Sequence, residues 1–142
     1  MGATVFLGYD REALDREYDN RRKVAGAADY LARYAKDSAR ARGELPCRLD
    51  VPYGAHAGET LDVFPAAAPG APVHVFVHGG YWQWLDKADF SFVARAFVPD
   101  AAVVVVDYAL IPAVDMDEQV RQCRAAVAWV HRHAASFNGD PA

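Results

Sequence analysis

Two runs of almost continuously apolar residues dominate the hydrophobic pattern of the chain. Residues 73–77 have the sequence V-H-V-F-V, and residues 101–106 have the sequence A-A-V-V-V-V. Continuous apolarity, in place of strict alternation, is typical of strands that are covered on both faces in a parallel α/β sheet. The sequence therefore predicts two parallel strands at these positions.

Helical periodicity follows both runs. Residues 86–98 predict one amphipathic helix, because apolar side chains recur at i, i+3, i+4 and i+7. These positions are Phe90, Val93, Ala94 and Phe97. Asp115 and Glu118 resemble a capping box at the start of a second helix, which Asn138-Gly139 would end. The predicted apolar face of that helix consists of Val120, Cys123, Val127, Val130 and Ala134.

The chain before the first run predicts helices and a hairpin. Residues 11–23 interleave acidic and basic side chains, which indicates a solvated helical face in preference to a basic recognition patch. Residues 29–42 have helical periodicity and are followed by Gly43 as a stop. The alternating runs 48–53 and 60–64, separated by a glycine-containing turn, predict an antiparallel hairpin.

The order hairpin, strand, helix, strand, helix is that of one α/β domain behind a helical segment. We assign residues 1–45 to the N-terminal helical segment and residues 46–142 to the α/β domain. We expect this domain to be incomplete, because its last crossover helix leads to a further parallel strand. Unpaired strand edges pair with other chains. The open sheet edge is therefore expected to bind the missing C-terminal half or to cause self-association.

Composition and charge narrow the classes of partner. The 142 residues are 53% hydrophobic and 24% charged, with a formal net charge of −4. This charge gives no reason to expect nucleic acid or an anionic membrane as a partner. The longest apolar run is far below the roughly 20 residues of a membrane-spanning helix. Since the first ten residues also lack the pattern of a secretion signal, we expect a cytoplasmic protein.

Several residue types argue against a metal, a cofactor or a nucleophile. The isolated Cys47 and Cys123 are expected to be buried thiols. His131 and His133, two residues apart on a helix, do not share a face that could bind a metal. No Rossmann or P-loop glycine pattern is present, so we expect no cofactor. The chain has three serines, Ser38, Ser91 and Ser136, and none of them lies in the G-x-S-x-G motif of a serine nucleophile.

The strongest chemical signal is H-G-G-Y-W at residues 78–82, directly after the first predicted parallel strand. Neither Gly79 nor Gly80 has a Cβ that would block approach to the backbone N–H groups or penalise a positive φ. Such N–H donors stabilise the negative charge that develops on an acyl oxygen. We predict an oxyanion hole formed by the backbone N–H groups of Gly79, Gly80 and Tyr81, with an ordinary tight turn as the alternative.

The residues around this loop have predicted supporting roles. His78 is expected to fix the loop by hydrogen bonds, because a histidine at the loop's root is poorly placed to act as a base. Asp107 and Tyr108 follow the second strand, at the ligand-facing edge of an open sheet, and are expected to organise their loop, with the triad acid as the alternative role of Asp107. Trp82 and Trp84 could stack on an aromatic substrate or pack the loop against the core, and the sequence leaves both open.

Four segments resemble known hydrolases. The H-G-G-Y-W of residues 78–82 resembles the H-G-G-x-W loop of the kynurenine formamidases (arylformamidases). Y-D-N-R at 18–21 and D-K-A-D-F-S-F-V at 86–93 also resemble that group, and V-V-V-V-D-Y-A-L-I-P at 103–112 is similar to a turn of the hormone-sensitive-lipase-like esterases. The chain thus resembles the N-terminal half of an α/β-hydrolase. This implies an antiparallel hairpin followed by parallel strands with crossover helices over residues 46–142.

The resemblance also implies an activity. The intact enzyme would hydrolyse an N-formyl aryl amine such as N-formylkynurenine, in tryptophan catabolism, or a small ester, through a Ser-Asp/Glu-His triad without a metal. In this fold the nucleophile follows the next strand, so the triad is expected beyond residue 142 and the chain is expected to be inactive alone. The alternatives are a noncatalytic aromatic-ligand-binding or interaction module, and one half of a split hydrolase.

Overall fold

The first of two compact units contains short strands and helices. The computed structural model describes residues 2–141, and its first unit ends at Arg33. Strands β1 (Thr4–Phe6) and β2 (Tyr9–Asp10) pair antiparallel, and helices α1 (Arg11–Tyr18) and α2 (Asn20–Lys23) follow. The helices confirm the predicted helical character of this charged segment. The strands escape prediction because two or three residues are too few for a recognisable alternation.

The next helix, α3 (Ala27–Glu44), confirms the predicted helix. It does not end at Gly43, since the backbone N–H of Leu45 still donates to the carbonyl oxygen of Ala41 at 2.9 Å. The helical hydrogen bonding therefore continues through the glycine, which costs a helix only about 1 kcal/mol relative to alanine.

The second unit, from Tyr34 onward, is built on a four-stranded sheet with the order β3-β4-β6-β5. Its strands are β3 (Arg48–Pro52), β4 (Thr60–Phe64), β5 (Val73–Val77) and β6 (Ala102–Val106). β4 is antiparallel to both β3 and β6, whereas β5 and β6 are parallel. The sheet confirms the predicted hairpin and the two predicted parallel strands.

All five residues of β6 are buried, because β6 lies inside the sheet and both of its faces are covered. On one face, Val104 packs in a cluster with Ala126 of helix α4 (Met116–His133). On the other face, Val103 packs in a cluster with Ala94 of the 3₁₀ turn Ser91–Ala96. This double coverage is the physical reason for the continuous apolarity of the segment.

β5 forms an edge of the sheet, and it is less completely buried than β6. Within residues 2–141, no strand pairs with its outer side. Just before β5, Ala71 forms an isolated parallel bridge with Gly139: its N–H donates to Asn138 O at 3.0 Å and its carbonyl accepts from Asp140 N at 2.7 Å. A groove of about 480 Å³ borders this edge, with apolar lining from Val73, Val75, Val127, Val130 and Ala134.

The segment at residues 86–98 is not the single amphipathic helix that its periodicity predicts. It forms two 3₁₀ turns, Lys87–Asp89 and Ser91–Ala96, separated by Phe90 with φ −120° and ψ 3°. Aromatic side chains lose rotamer freedom in an α-helix, and the Phe90 ring instead stacks on His78 with centroids 5.7 Å apart. Tertiary packing therefore overrides the local periodicity.

Helix α4 is confirmed, but its buried face differs from the predicted one. Asp115 accepts from Glu118 N at 2.9 Å, whereas the Glu118 carboxylate binds side chains within α4, so only half of the predicted capping box forms. Val120 and Val127 are each 52% exposed. The buried residues of α4 are Gln119, Gln122, Ala126 and Val130. α4 itself ends at His133 and is followed by the 3₁₀ turn Ala134–Phe137, which ends at the predicted stop, where Asn138 has a left-handed φ of 68°.

Candidate functional site

The candidate site lies where the carboxyl ends of the parallel strands β5 and β6 meet. Residues 78–85, here called the 78–85 loop, follow β5, while Asp107 and Tyr108 follow β6. Because the two strands are parallel, the structure brings His78 close to Asp107 and Tyr108. Open α/β sheets bind their ligands at this edge.

His78 is held from several sides at the start of the 78–85 loop. Its buried ring lies between the rings of Tyr108 and Phe90, with centroid distances of 4.5 and 5.7 Å. Its Nε2 lies 3.0 Å from Asp107 Oδ1, and its Nδ1 lies 2.7 Å from the carbonyl oxygen of Gly79. The Tyr108 hydroxyl donates to the carbonyl oxygen of His78 at 2.7 Å. Both ring nitrogens therefore face acceptors of the protein itself.

The backbone of the 78–85 loop has a positive φ at four positions. These are Gly80 at 132°, Tyr81 at 55°, Trp82 at 65° and Leu85 at 68°. The left-handed conformation costs a residue with a side chain about 1–2 kcal/mol. At Gly80, an added Cβ would lie 1.8 Å from the carbonyl oxygen of Trp84, so this position requires glycine.

The carbonyl groups of Gly80 and Trp82 in the 78–85 loop are hydrogen-bonded within the protein. Gly80 O accepts from two N–H groups further along the loop, each at 3.2 Å. Trp82 O accepts from Ile111 N at 2.9 Å and from Gln119 Nε2 at 2.9 Å. These bonds fix the loop from its carbonyl side.

The N–H groups of Gly79, Gly80 and Tyr81 donate to no acceptor within residues 2–141. Gly79 and Tyr81 are exposed, and Gly80 is half-buried. An ideal Cβ on Gly79 would have no atom within 4 Å beyond its chain neighbours, so the space beside this residue is open. Backbone donors seek a partner wherever one is available. The loop therefore presents unpaired donors to an external acceptor.

The aromatic residues that follow the glycine pair differ in exposure. Tyr81 is 57% exposed and Trp82 is 50% exposed, and their rings meet edge to face with centroids 5.3 Å apart. Trp84 is half-buried. Two exposed aromatic rings beside the unpaired N–H groups are suited to contact with an aromatic ligand.

A buried ion pair anchors the chain just after the loop. Lys87 Nζ lies 2.9 Å from Asp62 Oδ1 and 2.6 Å from Asp50 Oδ1, and both Lys87 and Asp62 are buried. Burial by itself lowers the pKa of Lys87, but hydrogen bonds to the two carboxylates outweigh it and raise the pKa above its ordinary value. The charged lysine therefore joins the first 3₁₀ turn to the β3-β4 hairpin.

A second ion-pair cluster joins the β3-β4 turn to α4. Arg121 Nη2 lies 2.7 Å from Glu59 Oε1, and Arg121 Nε lies 2.7 Å from Glu118 Oε2. Hydrogen bonds, first from Arg121, lower the pKa of Glu118 to about 2. Burial raises the pKa of Glu59, but the backbone N–H of His56 and the Arg121 guanidinium outweigh it and hold that pKa below its usual value.

We expect this cluster to make stability fall in acid. Because the folded-state pKa values of Glu59 and Glu118 are lowered, their stabilisation is fully present above about pH 4.5 and is lost as the pH falls toward about 2. Arg121→Met is expected to flatten this decline, measured as the free energy of unfolding in urea across that pH range. Arg132→Met, at an exposed position of α4, is the control. Equal pH slopes for Arg121→Met and the unchanged chain would contradict the expectation.

In the chain from residue 2 to residue 141, the buried serines and the two cysteines are not arranged with partners that would make them catalytic. Ser38 and Ser91 are buried, and each hydroxyl accepts a hydrogen bond from the protein. Cys47 and Cys123 are free thiols that are only partly buried, and burial raises the pKa of both. Among the described residues, no cluster of His, Cys, Asp or Glu could hold a metal ion. None of the described helices has both the length and the apolar character to cross a membrane.

Three buried polar residues around the candidate site, Lys87, Gln119 and Gln122, were not predicted from the sequence. Lys87 lies in the segment 86–98, whose apolar periodicity gives no reason to expect a buried lysine. Gln119 and Gln122 lie on the predicted α4 with a spacing of three, which places them on one helix face. Gln122 Oε1 accepts from Ala109 N at 2.8 Å in the turn after β6. That spacing was the available signal, but glutamine is mostly exposed in proteins and so suggests a surface position.

Comparison with known sequences identifies the relatives of this chain. The family model BD-FAE matches residues 61–142. Kynurenine formamidase of Danio rerio is 41% identical over 103 residues, which are 70% of this chain and 35% of that protein. Carboxylesterase NlhH of Mycobacterium tuberculosis is 38% identical over 79 residues, which are 54% of this chain and 25% of that protein. The chain thus spans about a third or less of the length of these curated relatives.

Solved structures show the same fold. A candidate thioesterase from Silicibacter sp. is 34% identical with a TM-score of 0.78, covering 84% of this chain and 47% of that one. Esterase B from Lactobacillus rhamnosis has a TM-score of 0.61 at 23% identity, covering 82% of this chain and 43% of that one, which shows the fold alone. These matches confirm the predicted α/β-hydrolase fold and the predicted resemblance to formamidases and esterases. The chain belongs to the BD-FAE family, and the relatives and structural neighbours named above are formamidases and esterases of the α/β-hydrolase type.

Proposed function

We propose that this chain carries the oxyanion hole of an arylformamidase-like or carboxylesterase-like hydrolase. The observation that carries the proposal is the state of three backbone donors. The N–H groups of Gly79, Gly80 and Tyr81 have no acceptor in the described part of the chain, while the carbonyl oxygens of Gly80 and Trp82 accept hydrogen bonds from the protein. A loop that is held through some of its carbonyl groups and leaves adjacent N–H donors unpaired is suited to binding an oxyanion.

In the proposed reaction, a serine oxygen gives its proton to the base of the triad and attacks the carbonyl carbon of a formamide or ester. The carbonyl oxygen becomes negatively charged in the tetrahedral intermediate, and the Gly79, Gly80 and Tyr81 N–H groups stabilise that charge. When the intermediate collapses, the carbonyl re-forms, the C–N or C–O bond breaks, and the leaving amine or alcohol takes the proton from the base. A single donor of this kind contributes about a hundredfold to a thousandfold in rate. His78, Asp107 and Tyr108 are positioning residues in this mechanism, because they hold the loop through the contacts described above.

The substrate class follows from the aromatic surface beside the donors. Tyr81 and Trp82 expose about half of their surface next to the unpaired N–H groups. An aryl group stacked there would place its formyl or acyl carbonyl near the loop, with the half-buried Trp84 of the same loop as a further proposed contact. The Danio rerio relative is a kynurenine formamidase. We therefore propose an N-formyl aryl amine as the substrate, with a small ester as the alternative.

The proposal places the serine, the acid and the base of the triad outside residues 1–142. Ser38 and Ser91 are buried and bonded within the protein, and Ser136 follows α4 in the 3₁₀ turn Ala134–Phe137, without the strand-to-helix elbow that exposes a nucleophile. Residues 1–142 alone are accordingly expected to be inactive.

A turnover assay tests this expectation. Purified residues 1–142 should hydrolyse neither p-nitrophenyl acetate nor N-formylkynurenine above the buffer rate, and a fluorophosphonate probe should label none of the serines. A chimera can be made by replacing the aligned 103-residue segment of the Danio rerio enzyme with the matching segment of this chain. This chimera is expected to be active. Serine labelling and turnover by residues 1–142, or a folded but inactive chimera, would overturn the proposal.

A second candidate is a noncatalytic module that binds aromatic ligands. The exposure of Tyr81 and Trp82 favours it, since large exposed aromatic surfaces commonly mark binding sites. Titration of residues 1–142 with kynurenine, followed by tryptophan fluorescence, distinguishes the two. Saturable binding together with an inactive chimera favours the binding module, whereas an active chimera favours the hydrolase.

A further inference from the structure

Two glutamine side chains of α4 are buried near the candidate site: Gln119 contacts the 78–85 loop and the turn after β6, whereas Gln122 contacts only that turn and its own helix. Gln119 and Gln122 are 3% and 0% exposed, although they lie on a helix whose valines at 120 and 127 are half exposed. Burial of an amide group is unfavourable unless it is hydrogen-bonded. The fold has thus placed polar groups inside and apolar groups outside at this end of α4, and the hydrogen bonds of the two amides give the reason.

Gln119 joins the two loops at the carboxyl ends of the parallel strands. Its Nε2 group donates to Trp82 O and to Ala109 O, both at 2.9 Å. Trp82 belongs to the loop after β5, and Ala109 belongs to the turn after β6. One side-chain amide therefore uses both of its N–H donors to hold two separate segments.

The other end of the Gln119 amide has no partner. Gln119 Oε1 is the one buried side-chain nitrogen or oxygen in the described part of the chain without a hydrogen bond. Turning the amide over would not help, because Oε1 would then face two carbonyl oxygens. A methionine of similar shape would fill the space without an unsatisfied acceptor. Packing alone therefore does not account for glutamine here, whereas its two donors to Trp82 O and Ala109 O do.

The backbone conformation of the 78–85 loop indicates the role of the two N–H donors of Gln119. Tyr81 and Trp82 are consecutive non-glycine residues with positive φ. Such strained backbone persists only where its surroundings hold it in place. The carbonyl oxygen of Trp82 accepts hydrogen bonds from Ile111 N and Gln119 Nε2. These two bonds hold the strained backbone of Tyr81 and Trp82 in place.

We infer that Gln119 is a positioning residue for the oxyanion donors. By holding the Trp82 carbonyl it maintains the left-handed turn at Tyr81 and Trp82, and this turn sets the direction of the N–H groups that precede it. The catalytic meaning of this role rests on the proposed function of the loop. The structural role itself can be tested in residues 1–142 without any activity.

The first test compares Gln119→Met with Gln122→Met by NMR of ¹⁵N-labelled chain. Gln119→Met is expected to lower the backbone order parameters of residues 79–84 from about 0.85 to below about 0.6, with the rest of the sheet unchanged. Gln122→Met, a matched loss of a buried amide on the same helix, should leave those residues ordered. Unchanged order in Gln119→Met, or an equal loss in Gln122→Met, would overturn the inference.

A second variant, Gln119→Glu, distinguishes a hydrogen-bonding role of Gln119 from a packing role through the pH dependence of loop order. Gln119→Glu places a carboxylate against two carbonyl oxygens at neutral pH, so the loop should be disordered. When the new carboxyl group is protonated at lower pH, its O–H can donate to one of those carbonyls, and order should return. The unchanged chain, followed over the same pH range, is the reference and should keep its loop order throughout. A Gln119→Glu variant whose loop order does not change with pH would count against the inference.

The unmodified chain keeps the inference testable if a variant fails to fold. The Nε2 protons of Gln119 should exchange with solvent at least about tenfold more slowly than those of Gln83, which is exposed in the 78–85 loop. Equal exchange rates would overturn the role of Gln119. If the loop depends on Gln119 but the chimera described above is inactive, the positioning role stands and the proposed function fails.

Discussion

Gly80→Ala is expected to abolish the native conformation of the 78–85 loop and to lower the free energy of unfolding by roughly 3 kcal/mol or more. Two effects add at this position. The φ of 132° is rarely adopted by a residue with a side chain, and the new Cβ would lie 1.8 Å from the carbonyl oxygen of Trp84. That oxygen belongs to the backbone, so it cannot move aside without unfolding the turn that Gly80 O closes with Trp84 N.

Gly79→Ala is the matched control for this experiment. The neighbouring glycine has open space at its Cβ position and no positive φ, so its replacement should change the free energy of unfolding by less than about 1 kcal/mol. Urea denaturation gives the stabilities, and the tryptophan fluorescence of the folded variants reports the loop through Trp82 and Trp84. In the chimera with the Danio rerio enzyme, Gly80→Ala should lower turnover at least about a hundredfold. Similar stabilities for the two alanine variants would contradict the loop geometry.

Lys87→Met is expected to lower the free energy of unfolding by about 3–5 kcal/mol. The substitution leaves the Asp62 carboxylate, whose side chain is 1% exposed, without its cationic partner. An uncompensated buried charge is among the most destabilising changes a core can undergo. Since the hydrogen bonds with Asp50 and Asp62 raise the pKa of Lys87 above its usual 10.5, the stabilisation in the unchanged chain persists at neutral pH and is lost only as the pH rises beyond that value.

The double variant Lys87→Met, Asp62→Leu distinguishes the effect of an unpaired buried charge on stability from the effect of lost packing. Removing both charges leaves no buried ion, so most of the lost stability should return. Lys36→Met, at an exposed position of α3, controls for the loss of a lysine and should change stability by less than about 0.5 kcal/mol. Chemical denaturation of the four chains at neutral pH supplies the measurement. A Lys87→Met variant as stable as Lys36→Met would show that Asp62 is not dependent on its partner.

Much of the fold could be predicted from local pattern. The continuous apolarity of residues 101–106 predicts a strand covered on both faces, and β6 is that strand. The position of H-G-G-Y-W after β5, and of Asp107 and Tyr108 after β6, predicts that these segments meet. It does so because parallel strands place their carboxyl ends at one edge of a sheet, so order along the chain is enough to determine proximity.

The sequence by itself determined the element order, the parallel strand pair and the location of the candidate site, since these depend on hydrophobic periodicity and chain connectivity. Only the tertiary structure decided that α4 buries Gln119 in place of Val120, that residues 86–98 form 3₁₀ turns, and that Lys87 pairs with Asp62. Each of these outcomes depends on groups distant in sequence: a carbonyl at Trp82, a ring at His78, a carboxylate in β4. A hydrogen bond or ion pair across the fold outweighs a local preference of less than about 1 kcal/mol per residue, and no pattern within one segment records its partner.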